Sequence, residues 1–276
     1  MIIVKLMGGM GNQMFQYAFG RALSLKYNTP LKIDLSFLKN RNMGPGFIYR
    51  DYDLNLFNVY EDFNVNYNGV AVASEPFFHY SNELVNAIAQ VKDRNILIDG
   101  YWQSPKYFLG LDSQIRKDFE FKNKVDDSKD DNILNMVNLI TNSNSVMINV
   151  RRTDYLNTNH HGVMGLEYIN NSVNIIKSKV ENPKFFIFSD DIDWCKSNIV
   201  LDNMVIVDHS YKGDRFSYYL QLMMMCKNFI IPNSTFAWWA AWLNQYEDKI
   251  VIAPKKWLAS DKINTNDIIP SDWIRI

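Results

Sequence analysis

Short runs of β-branched and aromatic residues recur along this chain, and between them lie segments whose apolar residues repeat at helical spacing. That alternation constrains the fold more than any other feature. Strand–helix–strand units close into largely parallel sheets with helices on their faces, so the expected class is α/β. The first run is Ile2-Ile3-Val4-Lys5-Leu6. After a turn at Gly8-Gly9, the residues Phe15, Ala18, Phe19, Ala22 and Leu23 fall at i, i+3, i+4, i+7 and i+8 on one helix face. Leu31–Asp34 and residues 95–99 read as further strands. The second half is more regular. It has a strand at 146–150, a helix carrying Leu166, Ile169, Val173, Ile176 and Val180, and strands at 185–188 and Met204–Val207. A helix over 216–226, a strand at 229–231, a helix over Thr235–Leu243 and a last strand at 249–253 follow. Residues 39–68, with Gly44-Pro45-Gly46 and many Asn, Asp and Tyr, read as loops with short elements.

The 276 residues, 47% hydrophobic and 21% charged, suffice for two modest α/β domains. A polar stretch at 122–131 holds Asp126, Asp127, Asp130 and Asp131 among lysines and reads as a linker, which divides the chain into domains 1–130 and 131–276. A formal net charge of −1 excludes the basic excess of a nucleic-acid binder, so any anion must be held by a local site. Cys195 and Cys226 lie far apart in apolar contexts, which suggests no disulfide framework and a reducing compartment. No signal peptide is visible at the start and no apolar window reaches the length of a membrane span. The most apolar stretch, residues 220–232, is broken by Gln221, Lys227 and Asn228. A cytoplasmic location is expected. The seven tryptophans suit either core packing or a sugar-lined cleft.

Four segments are suited to chemistry. Asn149-Val150-Arg151-Arg152-Thr153-Asp154 ends a strand, where parallel sheets collect their ligands. Two adjacent guanidiniums there call for anions: Asp154 suits one and a diphosphate, met by a planar bidentate fork, suits the other. Asn233-Ser234-Thr235-Phe236 follows a strand and opens a helix, which makes it either a simple N-cap or an anion site built from amides and helix dipole. Gly8-Gly9-Met10-Gly11 admits a ligand close to the backbone but lacks the Lys-Ser/Thr ending of a P-loop; Asn12 and Gln13 then supply amides. Ser189-Asp190-Asp191 closes another strand with a carboxylate that suits either a guanine edge or a cation. Asp191-Ile192-Asp193 has the form of a metal-binding Asp-x-Asp, yet two arginines and a helix head neutralise a diphosphate without a cation, so no metal is expected.

Taken together, these segments resemble glycosyltransferase family 11, the inverting α-1,2-fucosyltransferases that use GDP-fucose. The resemblance runs from Gly8-Gly9-Met10-Gly11-Asn12-Gln13-Met14-Phe15-Gln16-Tyr17-Ala18 through Gly100-Tyr101-Trp102-Gln103-Ser104, Arg151-Arg152-Thr153-Asp154-Tyr155 and Phe188-Ser189-Asp190-Asp191. It ends at Ile231-Pro232-Asn233-Ser234-Thr235-Phe236-Ala237-Trp238-Trp239-Ala240-Ala241-Trp242-Leu243. It implies a GT-B-like fold, two facing Rossmann-like domains with a cleft between them. The C-terminal half would hold the nucleotide and the N-terminal half would shape the acceptor site.

By that resemblance Arg151 contacts the β-phosphate with Arg152 in support, Asp190 reads the guanine edge, and Ser234, Thr235 and Phe236 meet the donor at the helix start. Gly11, Asn12 and Gln13 reach toward the donor, and Trp102 and His161 fall on the acceptor side. The substrates would be GDP-fucose and a galactose-terminated glycan. A lipid-linked acceptor would bring peripheral membrane contact, and no cofactor is implied. The family pattern His-x-Arg-Arg-Gly-Asp is altered here, with Asn149 and Thr153 at the His and Gly positions. Asn149 can hydrogen-bond a nucleotide but cannot shuttle a proton. That leaves Asp154, otherwise a partner for arginine, or His161 as proton acceptor. Thr153 also fits related α-1,6-fucosyltransferases, and the missing histidine with the aromatic load fits a non-catalytic glycan- or nucleotide-binding module.

Overall fold

The computed structural model describes residues 1–44, 46–157, 162–260 and 262–276. The chain forms two compact units: residues 1–122 with 263–268, and residues 123–262 with 269–276. The division falls at Lys122–Asn123 rather than at residue 130. The polar stretch there is not a free linker: a 3-10 turn at Val125–Asp127 buries Val125, whose N–H donates to Gln221 Oε1 at 2.8 Å.

The first unit comprises β1 (Ile2–Lys5), α1 (Met10–Lys26), β2 (Leu31–Asp34), α2 (Ser36–Lys39), β3 (Ala71–Ser74), α3 (Asn82–Gln90), β4 (Ile96–Asp99) and α4 (Asp112–Asp118). Among the described residues its strands form a parallel four-stranded sheet in the order β2-β1-β4-β3. The apolar run Ile2-Ile3-Val4 is fully buried because β1 is central and covered on both faces. The stripe read on α1 packs inward: Phe15 meets Phe108, and Phe19 lies 4.8 Å from Trp102 and 4.5 Å from Tyr107. Asp118 closes the far side of α1, accepting from Tyr17, Arg21 and Gln114.

The second unit comprises α5 (Asp131–Thr141), β5 (Asn144–Val150), α6 (Leu166–Lys177), β6 (Pro183–Ser189), α7 (Ile192–Asn198), β7 (Met204–Val207), α8 (Ser217–Met224), β8 (Asn228–Ile230), α9 (Thr235–Leu243), β9 (Val251–Ala253) and β10 (Ile274–Arg275). Its strands are parallel in the order β7-β6-β5-β8-β9-β10. Counted from β5, that is third, second, first, fourth, fifth, sixth, the order of the doubly wound dinucleotide-binding sheet. The α6 stripe Ile169, Val173 and Ile176 joins Val146, Ile148, Phe185 and Ile187 in one core. α8 starts at Ser217 rather than at 216, since Arg215 and Phe216 both adopt left-handed backbone, φ 46° and 65°. Cys195 and Cys226 are free and buried. No helix among the described residues is long and apolar enough to cross a membrane.

Candidate functional site

In the second unit the strand order turns back between β5 and its neighbour β8, and in open α/β sheets ligands collect outside the carboxyl ends of the strands at such a reversal. Arg151-Arg152-Thr153-Asp154 leaves β5, and Ile231-Pro232-Asn233-Ser234 leaves β8 and enters α9. Arg151 is only partly enclosed, its side chain 28% exposed, and it is held from two sides. Its Nη2 donates to Asp154 Oδ2 at 2.6 Å and its Nη1 lies 3.3 Å from Asp190 Oδ2. Burial alone would lower the guanidinium pKa; Asp190 and Asp154 outweigh it and hold the group above its ordinary value. Arg151 is a fixed cation.

Arg152 goes elsewhere. Its Nε donates to Asp191 Oδ2 at 3.3 Å and its guanidinium carbon lies 3.9 Å from the centre of the Trp194 ring. The adjacent arginines therefore avoid mutual repulsion by taking separate carboxylates. Asp190, expected to read a guanine edge, ties down the arginine loop. Its Oδ1 accepts the Arg152 N–H at 2.9 Å, and its Oδ2 accepts the Thr153 N–H and hydroxyl at 3.2 and 2.6 Å. Both oxygens are taken, because the loop amides stand directly opposite the end of β6. Asp191 caps α7 through the Trp194 N–H. Among the described residues no group of three or more His, Cys, Asp or Glu is placed to hold a metal. Asn149 donates to the Phe188 carbonyl at 3.2 Å, which ties β5 to β6.

Tyr155 and Asn233 join these loops. Tyr155, with its ring 5.5 Å from the Arg151 guanidinium, donates its hydroxyl to the Asn233 carbonyl at 3.0 Å. Asn233 is 2% exposed, and its amide donates to the carbonyls of Gly162 and Trp257 at 3.1 and 3.0 Å. The arginine loop and the head of α9 are thus bridged through Tyr155. Ser234 is buried and its hydroxyl makes no capping bond to α9, while Thr235 and Phe236 are half-buried. Tyr219 braces the rim beyond: it accepts the Ser189 N–H at 2.9 Å and donates to the Val207 carbonyl at 2.8 Å. His209 meets the Ser189 carbonyl at 2.8 Å.

In the first unit the loops after β1 and β4 meet, with Gln103 Nε2 donating to Asn12 Oδ1 at 2.9 Å. Gly11 is buried and Asn12 half-buried. Two expected ligand contacts are structural instead. Gln13 is fully buried and its amide is spent on backbone: Nε2 donates to the carbonyls of Gly8 and Asp51, and Oε1 accepts the Asp53 N–H. Trp102 is fully buried between Phe19 and Tyr107, so it faces core rather than acceptor. His161 lies outside the described residues.

Among known proteins, the family model described as Glycosyl transferase family 11 matches residues 1–276. An alpha-1,2-colitosyltransferase of Escherichia coli is 32% identical, the alignment covering 100% of this chain and 98% of that protein. The O-antigen biosynthesis glycosyltransferase WbnK of Escherichia coli is 28% identical over 98% of this chain and 99% of its own. Human galactoside alpha-(1,2)-fucosyltransferase 1 is 26% identical over 56% of this chain and 45% of its own. Among solved structures, a mutant Arabidopsis thaliana FUT1 in complex with GDP superposes with a TM-score of 0.50, covering 95% of this chain and 72% of that one at 10% identity. NodZ alpha-1,6-fucosyltransferase co-crystallised with GDP gives 0.50 over 87% and 90% at 13% identity. At such identities the likeness is one of fold, and the fold is GT-B-like.

Proposed function

The chain belongs to glycosyl transferase family 11, and from that premise we propose that it is an inverting, metal-independent α-1,2-fucosyltransferase. It would move fucose from GDP-fucose to a hydroxyl of a terminal β-galactoside. The observation that carries this reading is Arg151, a guanidinium fixed at the strand-order reversal and bridged through Tyr155 to the head of α9.

The difficult event is departure of GDP from the anomeric carbon while a hydroxyl attacks the opposite face. Charge grows on the β-phosphate, so stabilisation there accelerates the step more than a base does. Arg151 gives up part of its pairing with Asp154 and Asp190 to the phosphate, and Ser234, Thr235 and the α9 dipole meet the remaining oxygens. Arg152 and Asp190 keep the loop in place. Asp154, released from Arg151, stands as proton acceptor for late deprotonation. The first unit shapes the acceptor site, and its Asn12 reaches toward the donor substrate. A lipid-linked glycan acceptor would bring the enzyme to a membrane surface.

A second reading keeps the chemistry and changes the sugar. The relative at 32% identity is described as a colitosyltransferase, which supports a GDP-colitose donor. One experiment separates these readings: GDP-fucose, GDP-colitose, GDP-mannose and a UDP-sugar are each supplied with a galactoside panel and chelator, products being read by mass spectrometry and linkage by NMR. Fucosylated product with an α-1,2 bond is expected. Colitosyl transfer alone would replace the donor, an α-1,6 bond the linkage, and binding without GDP release the enzymatic reading. Arg151→Ala should lose about a hundredfold to a thousandfold in rate while remaining folded.

A further inference from the structure

Glu75 directly follows β3 and sends its side chain to the loop after β4. Its Oε2 accepts the Tyr101 N–H at 2.7 Å and its Oε1 accepts the next amide, that of Trp102, at 3.0 Å. The seat is costly for a carboxylate: burial raises its pKa above the ordinary value even against these two bonds. The loop leaves room for it only because residue 100 is glycine. A Cβ there would collide with the Glu75 side chain and lie 2.9 Å from the Trp102 indole.

Trp102 sits at φ 56°, a left-handed conformation that a bulky residue keeps only when its surroundings impose it. The two bonds from Glu75 hold one side of this turn and the packing of the Trp102 ring on Phe19 and Tyr107 holds the other. The turn delivers Gln103. Its side chain is buried and spans from the loop after β4 to Asn12 at the head of α1. β1 and β4 are neighbours in the sheet, so the loops leaving their carboxyl ends lie side by side. Asn12 in turn lies over Gly8, which has φ 75°; a Cβ on Gly8 would stand 2.5 Å from Asn12 Nδ2.

We propose that Glu75 is a positioning residue for sugar transfer: acting through the strained Trp102 turn and Gln103, it fixes the orientation in which the Asn12 amide is offered to substrate. The inference rests on the reading above, that Asn12 meets substrate in a family 11 transferase. Misplacing a positioning group by about 1 Å costs on the order of a hundredfold.

The test compares Glu75→Ala, Glu75→Gln, Asn12→Ala and the Glu75→Ala/Asn12→Ala double variant, with melting temperatures taken in parallel. Expected for Glu75→Ala is a kcat reduced about a hundredfold with KM values little changed, the signature of a lost transition-state arrangement. Glu75→Gln keeps one carbonyl acceptor and recovers part of the rate. The double variant is no slower than the slower single, because both substitutions remove the same orientation. Multiplying losses in the double variant, or wild-type kcat in Glu75→Ala or Asn12→Ala, would overturn the proposal. So would rate losses that follow loss of folded protein in both Glu75 variants. A wild-type protein that transfers no sugar across the donor panel defeats the underlying reading and this inference with it, whereas active wild type with independent losses defeats this inference alone.

Discussion

At the scale of single residues, Asp154 is the sharpest question. Its Oδ2 is committed to Arg151 at 2.6 Å, the geometry of a charge-assisted bond. A diphosphate must displace it. Asp154→Asn weakens that competition while preserving shape, so GDP should bind several-fold more tightly and kcat should fall by no more than about tenfold, the fall being limited because arginine carries most of the stabilisation. Titration calorimetry with GDP, alongside steady-state rates, checks both halves. A loss beyond about a thousandfold in kcat with unchanged GDP affinity would instead make Asp154 the essential base. Residue type told much here and misled in part. Arg151 and Ser234 lie where the sequence pattern puts them, at the end of β5 and at the head of α9. Gln13, Trp102 and Asp190 have partners that residue type does not announce, because a side chain's chemistry says what it can bind, not which partner stands nearest. Gln13 finds the backbone of residues 51 and 53, and Asp190 finds the amides of its neighbouring loop. Glu75 carried no signal, since a lone glutamate before Pro76-Phe77-Phe78 fits no pattern.

At the scale of elements, apolar periodicity was reliable wherever an element is central. β1, β5, β6 and α9 fall where the pattern put them because each is buried on more than one side. β3 and α3 escaped notice for the converse reason. β3 is an edge strand of four residues whose Val72 is 61% exposed, and α3 buries only Ile88. The braces between elements are as important as the elements, and Tyr219 tests one. Its hydroxyl on α8 accepts from the end of β6 and donates to the end of β7, and burial pushes its pKa well above the ordinary phenol value. Tyr219→Phe strands a buried N–H and a buried carbonyl, so urea denaturation should show a loss of about 1–3 kcal/mol. The slack falls on Ser189 and Asp190, which anchor the arginine loop, so transfer should slow as well. A Phe variant as stable and as fast as wild type would show that the rim holds without this brace.

At the scale of the molecule, two sheets were readable from the alternation of strands and helices, but the path of the chain was not. After building the second unit it contributes residues 263–268 to the first and then returns to end as β10. Nothing periodic marks that excursion; it is held by the buried Ile268 and by polar contacts. Asp267 accepts the Tyr80 N–H at 3.1 Å and pairs with Lys106, and its carbonyl accepts the Ser104 hydroxyl at 3.2 Å. The same tail completes the second unit, where β10 pairs with β9 and Trp273 packs 5.6 Å from Trp238. A chain ending at Lys262 therefore damages both units at once. Ile268 is buried in the first unit, and Ile269 and Trp273 in the second, which forfeits about 3–6 kcal/mol with the loss of two such side chains, a large part of the roughly 5–15 kcal/mol that stabilises a whole domain. Calorimetry should find no cooperative transition in the shortened chain. Asp267→Ala should be milder and one-sided: hydrogen exchange should quicken around residues 80 and 104–106, where its bonds are lost, while the amides of β5 and β6 keep their protection. Full-length stability in the shortened chain, or protection lost equally in both units of the Asp267 variant, would mean that the excursion is an ornament rather than a shared fastening.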